Sequence, residues 1–194
     1  MKTAFRALLA VVVLGILTGL VYPLAITGMA QVAFGDRADG SLVHAGDQVV
    51  GSSSIGQIWR GTQWFHGRPS AVGYDATASS GSNLGPTSRE LADLVEERVT
   101  AVLRMEGPYV HDLEAGDIPA DLVTASASGL DPHISTASAE LQAPRIAEVR
   151  GLSLDDVMRL IDEHTSPPTL GFLGQERVNV LELNLALEVV SEQG

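Results

Sequence analysis

Between Ala7 and Gly35 the chain has no charged side chain, and its run ALLAVVVLGILTGLVYPLAI is apolar on every helical face. About 20 such residues rising ~1.5 Å each match a hydrocarbon core of roughly 30 Å. A core helix of a soluble domain would keep a polar face. A cleaved export signal is the competing reading, because ITGMA at Ile26–Ala30 ends small-x-small. Its apolar run far exceeds the usual stretch of about 7–15 residues, so a retained anchor over residues 1–34 is expected. Tyr22 followed by Pro23 predicts an interfacial aromatic and a kink, and Gly15, Gly19 and Gly28 leave notches where another helix could approach.

Beyond the anchor, residues 35–194 read as one domain of mixed pattern. FGDRADGSLVHAGD is a Gly/Asp-rich linker, and QVVGSSSIGQIW predicts a short strand and turn. Residues 61–86 are thick with Gly, Ser and Pro and predict loop. Thr87 with Glu90 forms a capping box for a helix whose apolar stripe runs Leu91, Leu94, Val95, Val99, Val102 and Leu103, until Gly107 ends it. DLVTASAS from Asp121 predicts a buried strand. Ser135 is placed to cap a helix that Pro144 would break or kink. Ser153 with Asp156 opens another, with Val157, Leu160 and Ile161 inward. In RVNVLELNLALEVV the leucines alternate like a strand, but Asn179 with Glu182 and good helix formers favour a helix. The fold class is α+β: one transmembrane helix followed by a compact α/β-type domain.

Charge decides which side of a membrane that domain occupies. The first 30 residues hold Lys2 and Arg6 and no acid, leaving 10 cations against 24 acids beyond them, a net of −14. The two cations face the cytoplasm by the positive-inside tendency, so the acidic domain is expected in the periplasm or its equivalent. A domain of that charge is repelled by nucleic acid, which excludes it as a partner. With no cysteine, thiolate catalysis, disulfides and Cys-ligated zinc are absent.

Candidate chemistry centres on LDPHISTASAEL, Leu130–Leu141. Ser126 or Ser135 with His133 and Asp131 offers the residue types of an anchored periplasmic hydrolase, without a G-x-S-x-G elbow. The structural alternative is that Asp131-Pro132 opens a turn and Ser135 caps the next helix, which accounts for each polar residue. His44, His66, His111, His133 and His164 are scattered, with no metal-binding spacing. In FHGRPSA, Arg68 either forms a buried charge pair or grips an acidic partner. SGSNLGPTS, with Ser82, Asn83, Gly85 and Thr87, looks like an anion cradle before a helix, but has no lysine.

VYPLAITGMAQ, SSIGQIW, FHGRPSA, SGSNLGPTS, PADLVTASASGLDPHIS and HTSPPTLGFLGQERVNVLELNLAL resemble, block by block from about Leu20 to Leu187, the C subunit family of the bacterial Kdp potassium-transporting ATPase. Ser54, where the family usually has Leu, and Trp64, where another aromatic is common, are the departures. The resemblance implies a non-catalytic subunit of a complex with a channel-like potassium-binding subunit, a P-type ATPase subunit and a small single-span subunit. K⁺ would be the transported ion, moved electrogenically into the cytoplasm, and ATP a ligand of the complex. The subunit would serve assembly and assist ATP binding and hydrolysis by the pump, as a catalytic chaperone; this chain lacks the DKTGT phosphorylation motif. It would lie in the cell inner membrane as a single span. Candidate partner contacts are Gly15, Gly19, Tyr22, Pro23 and Gly28 in the helix and His66, Arg68, Asp131 and His133 in the domain. Ser82, Asn83, Gly85 and Thr87 are nucleotide-linked candidates. An external domain cannot touch cytoplasmic ATP, so any such link must pass through the membrane helices.

Overall fold

The computed structural model describes residues 1–193, which divide into two compact units, Met1–Ser52 and the chain from Ser53 onward. In the first unit, α1 (Lys2–Ile16) passes through a π-helical turn (Leu17–Val21) into α2 (Tyr22–Ala38). The 37-residue rod has a mean hydropathy of 2.4 in its most apolar window and is long and apolar enough to cross a membrane. Pro23 explains the π turn. It has no N–H for the Gly19 carbonyl and its ring crowds that position, so the helix widens one turn earlier. Tyr22 N then donates to Leu17 O, five residues back. The non-helical residue is not at Tyr22–Pro23 but at Phe34 (φ −145°, ψ 43°).

After α2 comes a hairpin of β1 (Leu42–Ala45) and β2 (Gln48–Ser52), paired Leu42 with Ser52 and Ala45 with Gln48. The stretch read as a linker is thus the end of α2 plus β1. LVH has the alternation of a strand, and Gly46 at φ 59° supplies the turn.

The second unit begins with irregular chain to Ser88, then α3 (Arg89–Glu106), α4 (Ala120–Val123), β3 (His133–Ile134), α5 (Thr136–Arg150), α6 (Leu154–Glu163), β4 (Thr165–Ser166), β5 (Arg177–Asn179) and α7 (Val180–Gln193). The three short strands form an antiparallel sheet in the order β3-β5-β4. Two expectations fail here. The α3 cap is Ser88, whose Oγ accepts from Leu91 N at 3.4 Å; Thr87 lies one residue outside. DLVTASAS is no strand: Pro119 and Asp121 start a single helical turn, closed by Thr124 Oγ1 donating to Ala120 O at 2.6 Å. The remaining caps are as read. Ser135 Oγ accepts from Ser138 N, Ser153 Oγ from Asp156 N, and Asn179 Oδ1 from Leu181 N and Glu182 N. Helix α5 continues through Pro144 to end on left-handed Gly151.

The main core joins Ala139, Ala143 and Ile146 of α5 to Val157 and Ile161 of α6, Val178 of β5 and Leu183 and Leu187 of α7. Phe65, from the irregular segment, is fully buried among them. A second cluster packs Ile118, Leu122 and Val123 under Val95, Val99 and Leu103 of α3. Small residues on α5 let α6 and α7 approach closely enough to bury this loop-borne aromatic.

Candidate functional site

The irregular segment is held in place by polar side chains, not by a sheet. Phe65 N donates to Asn184 Oδ1 at 2.9 Å, and Asn184 Nδ2 returns a bond to Phe65 O at 3.0 Å. Gln142 does the same for His66, accepting from its N at 2.8 Å and donating to its O at 3.2 Å. Two amides therefore replace the strand neighbours this backbone lacks. Farther along, Ser70 Oγ donates to Gly129 O at 2.6 Å, joining the 68–74 turn to the 126–131 segment, and Tyr74 Oη donates to Arg68 O at 2.7 Å within the turn. Burial, reinforced by the nearby Asp131 carboxylate, pushes the Tyr74 hydroxyl up to about 12, so it stays a donor. Gly56 N donates to Leu130 O at 2.9 Å, and a Cβ at Gly56 would collide with the Tyr74 ring and the Asp131 carbonyl.

This packing brings Arg68, Asp131 and His133 together. Arg68 Nη1 lies 3.2 Å from Asp131 Oδ2, and Arg68 Nη2 donates to Thr124 O at 3.4 Å. Asp131 Oδ1 accepts from His133 N at 3.0 Å and sits 3.5 Å from His133 Nδ1. Burial opposes the charge on Asp131. The hydrogen bonds from His133 and the Arg68 guanidinium outweigh it and hold the carboxyl below its usual range. The three residues line an open groove of about 550 Å³ together with Asp121, Glu176 and Arg177. Such a groove, alternating in charge and half-exposed, suits recognition of polar groups on another surface.

The hydrolase reading finds no support in it. Ser135 Oγ is 3.0 Å from Asp121 Oδ1, where it caps α5, and Ser126 Oγ accepts from Gly129 N at 2.9 Å. Neither serine is bonded to the His133 ring, the contact a nucleophile needs. The Asp131-Pro132 turn and the Ser135 cap account for the polar residues of this stretch.

The remaining candidates are dispersed. His66 turns its Nε2 to Gly61 O at 2.8 Å; burial, with the Arg145 charge, lowers its pKa despite that bond, so it is a neutral, structural ring. Ser82, Asn83, Gly85 and Thr87 form an exposed turn. Its groups are used internally: Leu84 N donates to Ser82 Oγ at 3.5 Å and Ser88 N to Gly85 O at 2.9 Å. On the long helix, an added Cβ at Gly15, Gly19 or Gly28 would meet nothing within 4 Å. Tyr22 is exposed beside Pro23. Among the described residues no group of acids and histidines could hold a metal ion.

Sequence reasoning missed the buried ion pair that holds the start of the irregular segment. Arg145 is 0% exposed and Glu106 2%, with Arg145 Nε 3.0 Å from both carboxylate oxygens. Arg145 Nη1 donates to the carbonyls of Thr62 and, at 3.0 Å, Trp64, while Nη2 donates to Gln142 Oε1 at 3.0 Å. Burial pushes the Glu106 carboxyl upward against the opposing pull of Arg145. Outside this hub, the Arg150 guanidinium stacks 4.3 Å from the Trp64 ring centre, and Trp59 meets Trp64 at 4.9 Å. The signal available was the spacing of Gln142 and Arg145, three apart on a helix whose other inward residues are small or apolar.

Comparison with known proteins fits this arrangement. A family model described as KdpC: K⁺-transporting ATPase, c chain, matches residues 4–189. The chain is 51% identical over 184 residues to a potassium-transporting ATPase KdpC subunit of Mycobacterium tuberculosis, covering 94% of this chain and 95% of that one. It is 50% identical over 191 residues to the protein of the same name from Rhodospirillum rubrum, covering 97% and 96%. To that of Beijerinckia indica it is 52% identical over 184 residues, covering 94% and 91%. A match across nearly the whole length, at half identity, takes in the apolar rod, the clamped loop and the groove alike, and the chain belongs to the KdpC family, the c chain of K⁺-transporting ATPases.

Proposed function

We propose that this chain is a non-catalytic subunit of an ATP-driven potassium-import complex in the inner membrane. Residues 1–34 are its single span, with the N-terminus in the cytoplasm and residues 35–194 outside. The observation that carries this reading is the family match over residues 4–189. The helical break at Phe34 supports the end of the span, and Lys2 and Arg6 support its orientation. Its partners are a channel-like potassium-binding subunit, a P-type ATPase subunit and a small single-span subunit. Gly15, Gly19, Gly28, Tyr22 and Pro23 meet their helices, and the groove of Arg68, Asp131 and His133 meets an external surface. The subunit serves assembly and raises the pump's use of ATP by coupling through the membrane helices, without touching nucleotide itself.

Two measurements test this. Potassium-stimulated ATP hydrolysis should be lost when the complex is purified without this chain, and the isolated chain should hydrolyse neither ATP nor esters. Hydrolysis abolished by His133→Ala in the isolated chain would reverse the assignment. For orientation, the chain has no native cysteine. Ser53→Cys should react with an impermeant thiol reagent in intact cells, and protection until the cells are lysed would invert the topology.

A further inference from the structure

Between β4 and β5 the chain makes a turn through Pro167, Pro168, Thr169, Leu170, Gly171, Phe172 and Leu173 that displays apolar side chains outward. Leu170 is 79% exposed, Phe172 74% and Leu173 50%. Three large hydrophobic residues within four positions form a contiguous apolar tip, unlike single exposed residues, which need no explanation. The tip has a defined shape. Thr169 N donates to Leu173 O at 2.9 Å, Leu173 N returns the bond at 2.9 Å, and Gly171 N donates to Pro168 O at 2.9 Å. Leu170 itself is held at φ 57°, a conformation bulky residues rarely adopt and one that costs free energy. The backbone thus spends stability to present leucine and phenylalanine to solvent, in a pre-formed shape that a partner need not order.

The surroundings say what covers it. Acidic residues flank the turn: Glu140, Asp162 and Glu176 line a depression of about 260 Å³ with Pro167 at its foot. The turn's other leg, Gly174 to Arg177, is a wall of the groove that holds Arg68, Asp131 and His133. Apolar tip, acidic rim and charged groove are therefore one continuous surface, with the anchor-and-rim composition of a protein interface. An anionic bilayer is a poor occupant, because the tip has no Lys or Arg and its rim is negative. A second copy would set one acidic rim against another.

We propose that the Leu170–Leu173 turn is the hydrophobic anchor by which the external domain docks into an apolar cleft, edged by Lys and Arg, on another subunit of its complex. This rests on the reading above that the chain is such a subunit, and it names the surface and the chemistry of its partner. Phe172 fills the cleft, and the rim carboxylates meet the basic edge.

The test is co-purification in detergent of the full chain expressed with the other subunits of its complex, together with a photoreactive amino acid in place of Phe172. Leu170→Ser with Phe172→Ser should lower recovery of the companion subunits at least about tenfold, as loss of a central anchor does. The unfolding temperature should stay unchanged, because both side chains are already in water. The photoreactive group should join the chain to a companion subunit, and Asp162→Asn with Glu176→Gln should weaken recovery at low salt more than at high salt. Undiminished recovery of the double serine variant, or photo-products only with lipid or a second copy, overturns the docking turn and leaves the proposed function standing. A wild-type chain that recovers no companion subunit overturns both.

Discussion

Asn184 grips Phe65 by both of its backbone polar groups, at 2.9 and 3.0 Å, across a sequence separation of 119 residues. Both residues are sealed from water. Asn184→Ala leaves one buried donor and one buried acceptor unpaired, each costing about 1–3 kcal/mol. The full chain in detergent should lose roughly 2–6 kcal/mol in denaturant unfolding, on that accounting. Asn184→Asp should be no better, since a carboxylate cannot return the bond to the Phe65 carbonyl.

Arg145 serves four acceptors from one rigid fork, so shape matters there as much as charge. Arg145→Met strands the Glu106 carboxylate and the Thr62 and Trp64 carbonyls, and should cost roughly 3–5 kcal/mol. Arg145→Lys should recover little of this, because an ammonium cannot span the same acceptors. Glu106→Gln should be milder, since its amide oxygen still accepts. Equal losses for all three in unfolding experiments would mean that only volume counts at this position.

The first turn of α3 distinguishes two adjacent hydroxyls. Ser88→Ala removes the acceptor for Leu91 N and should cost about 1 kcal/mol. Thr87→Ala, at an exposed position outside the helix, should change stability by less than about 0.5 kcal/mol. Comparison of the two unfolding midpoints reads the cap directly.

His66 makes the fold sensitive to mild acid. Its folded pKa is depressed, chiefly by burial, so below its ordinary value near 6.5 the unfolded chain binds the extra proton and the folded one resists it. Stability from this group is therefore complete above about pH 7 and declines as the pH falls toward 5. His66→Gln removes the titration while keeping a donor for Gly61 O. The melting temperature of the variant should fall less between pH 7 and pH 5 than that of the wild type; parallel falls would assign the acid sensitivity elsewhere.

What the sequence disclosed was local. The apolar rod, the caps at Ser135, Ser153 and Asn179 and the end of α3 at Gly107 each depend on neighbours a few positions away, and each was legible. Ser88 has the extended dihedrals of an N-cap, φ −71° and ψ 128°, which spacing alone does not assign to it over Thr87. DLVTASAS has residues suited to a strand, but no neighbouring strand pairs with it, and Pro119 with Asp121 turns it helical instead. Arg68 and Asp131 could be named but not joined, because the turn at Ser70 and Tyr74 that brings them together is fixed by Gly129, 59 residues on. The Arg145 hub was hidden for the same reason: apart from Gln142, its partners lie 39 to 83 residues away.

The long reach from Phe65 to Asn184 also imposes an order on assembly. A chain made from its N-terminus delivers α7 long after this loop, so the loop bearing Phe65, His66 and Arg68 has no seat until Asn184 has been made. Until that helix arrives, an aromatic ring and two unpaired peptide groups wait in the open. Truncation before Asn184 would leave the Phe65 loop, and with it Arg68, without its seat, although Arg68, Asp131 and His133 were all present.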